Sequence, residues 1–170
     1  MTDADFQNRI GIIGATSLVG ACLRPLLTDA GWQVTAFSRR AMERFGDGVD
    51  WRIIRPHPHP LPKGEGAALL KDEGGIEWWV CVAPIWVLPN HFTLLEAQGA
   101  RRMVVLSSTS RFTKYDSTDA EEQAIAQRLA DAETQVREWA ASRKVEYVIL
   151  RPTLIYGLGQ DKNITEIARF

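Results

Sequence analysis

Apolar residues along the chain gather into six short runs, at 9–13, 33–38, 49–54, 76–83, 101–107 and 146–150. The runs are mostly continuous rather than alternating, which predicts strands covered on both faces, as in a parallel sheet. Helical spacing fills the intervals. One helix is predicted over 18–30, stopped by Gly31, and another over 89–98, stopped by Gly99, since glycine accepts the left-handed position after a helix. Thr118 with Glu121 three residues later reads as a capping box. It opens a long helix with Ile125, Leu129, Ala132, Val136 and Trp139 on one face. Strand and helix alternate throughout, so the expected architecture is α/β: a doubly wound parallel sheet with helices on both faces, three layers in all. The strand order expected is 3-2-1-4-5-6, with a crevice where the order reverses between the first and fourth strands. At 170 residues the chain is expected to form one domain.

One stretch departs from this rhythm. In 55–66, RPHPHPLPKGEG, four prolines at positions 56, 58, 60 and 62 remove backbone donors and fix φ, so an extended, mobile surface loop is expected there. Only 67–71 offers a short helix before the next strand. His57 and His59 lack a third ligand nearby, His91 being remote in sequence, so no metal site is expected.

Composition narrows the range of partners. A net charge of −1 argues against a basic surface for nucleic acid or anionic lipid. The start of the chain is polar and acidic, and the longest apolar run, 78–88, contains a proline and is too short to span a bilayer of about 20 helical residues. A cytoplasmic protein is expected. Cys22 and Cys81 lack the paired spacing of a redox or zinc site and read as two inert core thiols.

The clearest chemistry lies in RIGIIGATSLVG, residues 9–20, where an apolar strand enters a glycine turn and passes directly into a helix. A dinucleotide phosphate cradle needs that context. Gly14 permits the tight turn, the amides of Ala15, Thr16, Ser17, Leu18 and Val19 come to the helix N-terminus, and Gly20 lets helix and sheet approach closely. Ser17 stands where a middle glycine is usual, and its hydroxyl either caps the helix or touches a phosphate. The second strand ends Ser38-Arg39-Arg40 with no acidic residue for a ribose 2′-hydroxyl. An anionic 2′-phosphate suits these side chains, so NADP is the expected cofactor and NAD the second choice.

With these residues the chain resembles the extended short-chain dehydrogenase/reductase group, which includes sugar-nucleotide epimerases and dehydratases, and its atypical NmrA-like relatives. The resemblance extends over VCVAP at 80–84, VVLSST at 104–109 and LRPTLIYG at 150–157. It implies that Ala83 and Pro84 flank the adenosine side of the cofactor, that Ser107 and Pro152 line it, and that Ser108 is the catalytic serine. The family also uses a tyrosine with a lysine four residues on. Here Tyr115 is followed by Asp119, Tyr147 by Arg151 and Tyr156 by Gln160, and matching the long helix puts Ile125 and Leu129 where the pair belongs. Tyr115, beside Lys114, is the candidate substitute acid, against the reading of a solvated loop tyrosine. Family members also continue beyond the sixth strand into a substrate segment, expected to be absent from this chain. Three readings stay open: an NADP(H)-dependent oxidoreductase or epimerase-like enzyme, a cofactor sensor or scaffold without turnover, and a remnant that binds nothing. The small-molecule substrate is unidentified and a homodimer is left open.

Overall fold

A computed structural model describes residues 8–39, 48–54 and 75–157. Six strands, β1 (Arg9–Ile13), β2 (Gln33–Ser38), β3 (Asp50–Ile53), β4 (Trp78–Cys81), β5 (Arg102–Leu106) and β6 (Glu146–Leu150), form one sheet in the order β3-β2-β1-β4-β5-β6. Every pairing is parallel, and Ile13 at the end of β1 sits level with Phe37 of β2 and Cys81 of β4. The expected topology and its reversal between β1 and β4 are thus present. The proline-rich stretch 55–66 and the short helix expected over 67–71 lie outside the described residues.

Among the described residues four helices flank the sheet: α1 (Leu18–Asp29), α2 (Phe92–Gln98), α3 (Ser110–Thr113) and α4 (Ala120–Arg143). The helix expected over 89–98 begins instead as a 3-10 turn, Ile85–His91, and becomes α-helical only at Phe92. Pro89 lies within that turn, where its missing N–H prevents regular α-helical bonding. Gly31 and Gly99 take the left-handed positions expected of them, at φ 83° and 76°. The long helix starts one residue later than its capping box suggested. Asp119, not Thr118, is its cap, and its carboxylate accepts from the amides of Glu121 (2.8 Å) and Glu122 (3.4 Å).

The sheet separates two cores. On one face Ile10, Ile12, Val34 and Ala36 pack beneath α1, against Val19, Leu23 and Leu27. On the other, Ile13, Phe37, Trp79, Cys81, Met103 and Val105 pack against Leu129, Ala132, Val136 and Trp139 of α4. Trp79 organises this second core. Its ring stacks on Phe37 at 5.2 Å between centroids, and its indole N–H donates to the Ile76 carbonyl at 2.7 Å. A Cβ on Gly11 would lie 2.6 Å from that ring, so the glycine of β1 is the space the indole occupies.

Three expectations are corrected. Burial on both faces holds for β1 and β2 but fails at β5 and β6, where Val104 is 37%, Val148 52% and Leu150 48% exposed on one shared face that belongs to neither core. Ile125 leaves the buried face of α4, which instead runs through Ala126, Leu129, Ala132, Glu133, Val136, Trp139 and Ala140. Only Cys81 is a core thiol, its pKa pushed up to about 12 by burial, while Cys22 on α1 is exposed.

Truncating Trp79 to alanine removes the stacked ring and leaves a cavity over Gly11. Urea unfolding of Trp79→Ala is expected to show a loss of about 3–5 kcal/mol, the range for large aromatic deletions in cores. A loss below about 1 kcal/mol would mean that the core closes over the gap and does not depend on this ring.

Candidate functional site

The turn leaving β1 is compressed on two sides. Gly14 stands at φ 86°, and a Cβ there would fall 2.3 Å from the Ala83 amide nitrogen, so the turn abuts the chain leaving β4. A Cβ on Gly20 would fall 2.6 Å from the Gly14 carbonyl oxygen, so α1 rests directly on the turn. Neither position has room for a side chain. The Ser17 amide donates to the Gly14 carbonyl at 2.9 Å, closing the turn. The Ser17 hydroxyl caps α1 by accepting from the Gly20 amide at 3.1 Å, and its own proton remains to donate. Ala15 is fully buried, Leu18 and Val19 are half-buried and Thr16 is exposed. The first turn of α1 holds no acidic residue, so the partial positive charge of its N-terminus is not opposed locally.

The neighbouring strand ends complete this side of the crevice. The Val82 amide donates to the Ile13 carbonyl at 2.9 Å, which brings Ala83 and Pro84 beside the turn. Ser38 is half-buried at the end of β2 and Arg39 is exposed just after it, while Arg40 lies outside the described residues. His91 is buried at the end of the 3-10 turn. Burial, and then the charge of Arg39, hold its imidazole below the ordinary histidine range, so it is neutral at pH 7.

A second centre forms where β5 and β6 end. The Ser107 amide donates to the Leu150 carbonyl at 2.8 Å and the Thr109 amide to the Pro152 carbonyl at 3.3 Å, extending the pairing past the strands. Beneath them Glu133 of α4 is fully buried. It accepts from the Ser107 hydroxyl at 2.7 Å and from both arms of the Arg151 guanidinium, Nε at 2.8 Å and Nη2 at 2.7 Å. Arg137 reaches it at 3.2 Å, and Arg111 also pairs with it. Burial pushes the Glu133 carboxyl up, but the bonds from Arg151 and Ser107, with the charges of Arg151 and Arg111, outweigh this and hold it below the ordinary carboxylate range. Sequence reading missed this residue. The signal was available: a carboxylate one turn beyond Leu129, on the apolar stripe of a helix, is out of place unless a cation meets it.

The two residues read as catalytic stand apart in character. Ser108 is half-buried, and its hydroxyl donates to that of Ser110 at 3.1 Å while accepting from the Ser110 amide. Tyr115 is 64% exposed and makes no hydrogen bond among the described residues. Lys114 beside it is engaged by Glu122 at 2.7 Å. Leu129 is buried and Ile125 is 39% exposed, and both are apolar. The structure therefore brings Gly14, Ser17, Gly20 and Ala83 to one point and Ser107, Thr109 and Pro152 to another. No hydrogen bond ties Tyr115 to either.

No family model and no curated protein matches the chain. Solved structures do match its fold. The UDP-N-acetylglucosamine 4-epimerase of Bacillus cereus superposes over 91% of this chain and 56% of its own, with a TM-score of 0.66 at 15% identity. MoeE5 in complex with UDP-glucuronic acid and NAD matches over 95% of this chain and 60% of its own, with a TM-score of 0.62 at 24% identity. A short-chain dehydrogenase/reductase superfamily protein of Agrobacterium tumefaciens with bound NAD matches over 84% of this chain and 48% of its own, with a TM-score of 0.57 at 20% identity. The chain spans about half to three fifths of the length of these three proteins. At such identities the likeness establishes the fold, a three-layer α/β/α arrangement around a six-stranded parallel sheet. Among the described residues no cluster of His, Cys, Asp or Glu suits a metal ion, and no helix is long and apolar enough to cross a membrane.

Glu133→Gln removes the charge that three arginines face. Stability at neutral pH is expected to fall by about 3–5 kcal/mol, the usual consequence of breaking a buried ion pair from one side. A carboxyl whose folded pKa lies below its unfolded value adds stability that is complete above the unfolded pKa and lost as pH falls through the folded one. Between about pH 5 and pH 2 the wild-type protein should therefore lose more stability than Glu133→Gln. Parallel acid-unfolding curves for the two proteins would show that the tie does not form.

Proposed function

We propose that this chain is the dinucleotide-binding domain of an epimerase- or dehydratase-like short-chain dehydrogenase/reductase, and that it takes NADP(H) in preference to NAD(H). The turn at Gly14 carries the proposal. It lies after the central strand β1, at the reversal of strand order, and is pressed against Ala83 on one side and Gly20 on the other. Ligands of open α/β sheets lie outside the carboxyl ends of the strands at such a reversal. A dinucleotide fits the residues present: glycine leaves the backbone bare at the closest approach, and the α1 N-terminus offers amides and no opposing carboxylate. The solved complexes with NAD on the same fold are consistent with this reading.

In this reading the amides of Ala15, Thr16, Leu18 and Val19 hold the pyrophosphate, that of Ser17 being taken by the Gly14 carbonyl, and Ala83 and Pro84 flank the adenosine ribose. Ser107 and Pro152 line the far end of the cofactor, and the Ser108 hydroxyl hydrogen-bonds the ligand there. Ser38, Arg39 and Arg40 meet the 2′-phosphate. Arg39 is exposed and flexible enough to fold its guanidinium onto that group, and a 2′-hydroxyl finds no carboxylate at the end of β2. When bound, the cofactor supplies a hydride donor or acceptor.

Proton transfer is the weaker half of the site. Ile125 and Leu129 can neither give nor take a proton, and Lys114 beside Tyr115 is engaged by Glu122. This favours a second reading, a cofactor sensor or scaffold of the NmrA-like kind. Both readings require the same dinucleotide crevice.

Titration of the purified chain with NADPH and NADH, followed by nucleotide fluorescence, should give tighter binding of NADPH by about ten- to a hundredfold, the effect of one or two charge-assisted contacts. Arg39→Ala should erase most of that difference. Equal dissociation constants for the two nucleotides in the wild-type protein would refute the preference, and binding of neither would remove the function.

Steady-state assays with NADPH and carbonyl compounds, or with NAD(P) and alcohols or nucleotide sugars, are expected to show no efficient turnover. A positioned acid or base typically contributes about 10²–10⁴-fold, and its matching positions here are apolar. Ordinary enzyme rates on a defined carbonyl substrate, abolished by Tyr115→Phe, would instead make Tyr115 the acid.

A further inference from the structure

The cluster around Glu133 is unbalanced in charge. Arg111, Arg137 and Arg151 face a single carboxylate, and since that carboxylate is held ionised the group carries two positive charges in excess. Glu122, in the first turn of α4, is engaged by Lys114 and by the Ser117 hydroxyl, each at 2.7 Å. The guanidiniums are only partly covered: the side chain of Arg111 is 22% exposed and that of Arg151 31%. A guanidinium has five N–H donors. Arg151 gives Nε and Nη2 to Glu133 and Arg111 gives Nη1, so both retain donors that no described residue takes up.

The position of this cluster is as informative as its charge. Arg151 directly follows β6, and Arg111 lies on α3 just after β5, so both stand at the ligand-binding end of the sheet. The Gly14 turn follows β1, two strands from β5 and three from β6, or about 10–14 Å at the usual strand spacing. One phosphate group cannot serve both places. The Phe112 ring, 62% exposed, lies 5.1 Å from the Arg111 guanidinium and 5.7 Å from that of Arg151. The hydroxyls of Ser108 and Ser110 are on the same turn.

We propose that Arg111 and Arg151 form an anion subsite that holds a carboxylate or phosphate of the second ligand, which makes the substrate, or the sensed partner of the cofactor, an anionic small molecule. The proposal rests on the dinucleotide reading for the identity of the first ligand. Glu133 is the positioning residue: it fixes both guanidiniums and leaves their outer N–H groups directed to a planar or tetrahedral oxyanion. Phe112 supplies an apolar wall beside the charge.

The test uses the full chain, with inorganic phosphate and malonate as probes, at constant ionic strength set by sodium chloride and with NADPH either absent or saturating. Melting temperature is followed against probe concentration. The wild-type protein should show a saturable rise, and Arg111→Gln should weaken the apparent affinity about tenfold or more, as expected for a charge-assisted contact. Its dissociation constant for NADPH should not change. Arg111→Lys retains the charge facing Glu133 but lacks the fork, and it should also bind more weakly than wild type, which decides the matter if Arg111→Gln does not fold. An identical response to the probes in wild type and both variants, or a rise that sodium chloride reproduces, would overturn the proposal. If NADPH does not bind while the probe response still depends on Arg111, the anion subsite stands and the dinucleotide reading falls.

Discussion

The upper half of this fold is tied together by one buried carboxylate. Glu133 sits within the apolar face of α4, where an ion without partners would cost several kcal/mol in desolvation. It is tolerated because Ser107 from the end of β5, Arg151 from the end of β6 and Arg111 from α3 all converge on it. Each partner belongs to a different element, so the bond set fixes α4 against the sheet, sets the direction in which the chain leaves β5 and β6, and seats α3 above them. A hydrophobic residue at 133 would pack well enough, but it would not select among rotations of α4 or sliding of the loops. The carboxylate also determines the electrostatics, since it gathers more positive charge than it neutralises.

The other constraint is steric and lies on the opposite side of the crevice. Glycines at 11, 14 and 20 are each the place where another group comes within Cβ distance: the Trp79 ring, the Ala83 amide and the Gly14 carbonyl. Through these approaches β1, β4 and α1 are pressed together at the reversal of the sheet. The two constraints act on neighbouring strand ends. Backbone amides stand on the β1 side and hydroxyls and guanidiniums on the β5–β6 side, so positive potential gathers at these strand ends although the chain carries a net charge of only −1.

On the proposed reading, fixed dipoles and charges serve cofactor and second ligand, whereas proton transfer needs a titratable group within reach of the reacting atom. On α4 the two relevant positions are Ile125 and Leu129, one partly exposed and the other within the core. A general acid at Ile125 would leave the core of Trp79 untouched, whereas one at Leu129 would replace a side chain of that core. On the proposed reading, the binding frame and the proton-transfer step are separable in this architecture.

Much of this was legible in the amino-acid pattern because it depends on local physics. Continuous apolar runs separated by helical spacing specify a parallel α/β sheet, and a glycine turn between strand and helix specifies where backbone can meet a phosphate, since both follow from periodicity and from φ values that few residues adopt. Tertiary contact decided the rest. Thr118 and Asp119 are both competent caps, and only the docked position of α4 selects Asp119. Ile125 obeys the helical period, yet the axial rotation of α4 that buries Glu133 carries Ile125 outward. Exposure of Val104, Val148 and Leu150 depends on which elements cover that face of the sheet, which no run of residues encodes. Glu133 and Arg151 are eighteen positions apart, and Ser107 is a further twenty-six before them. Their convergence is a property of the folded chain, because a buried ion pair is stable only once distant segments have already excluded water from around it.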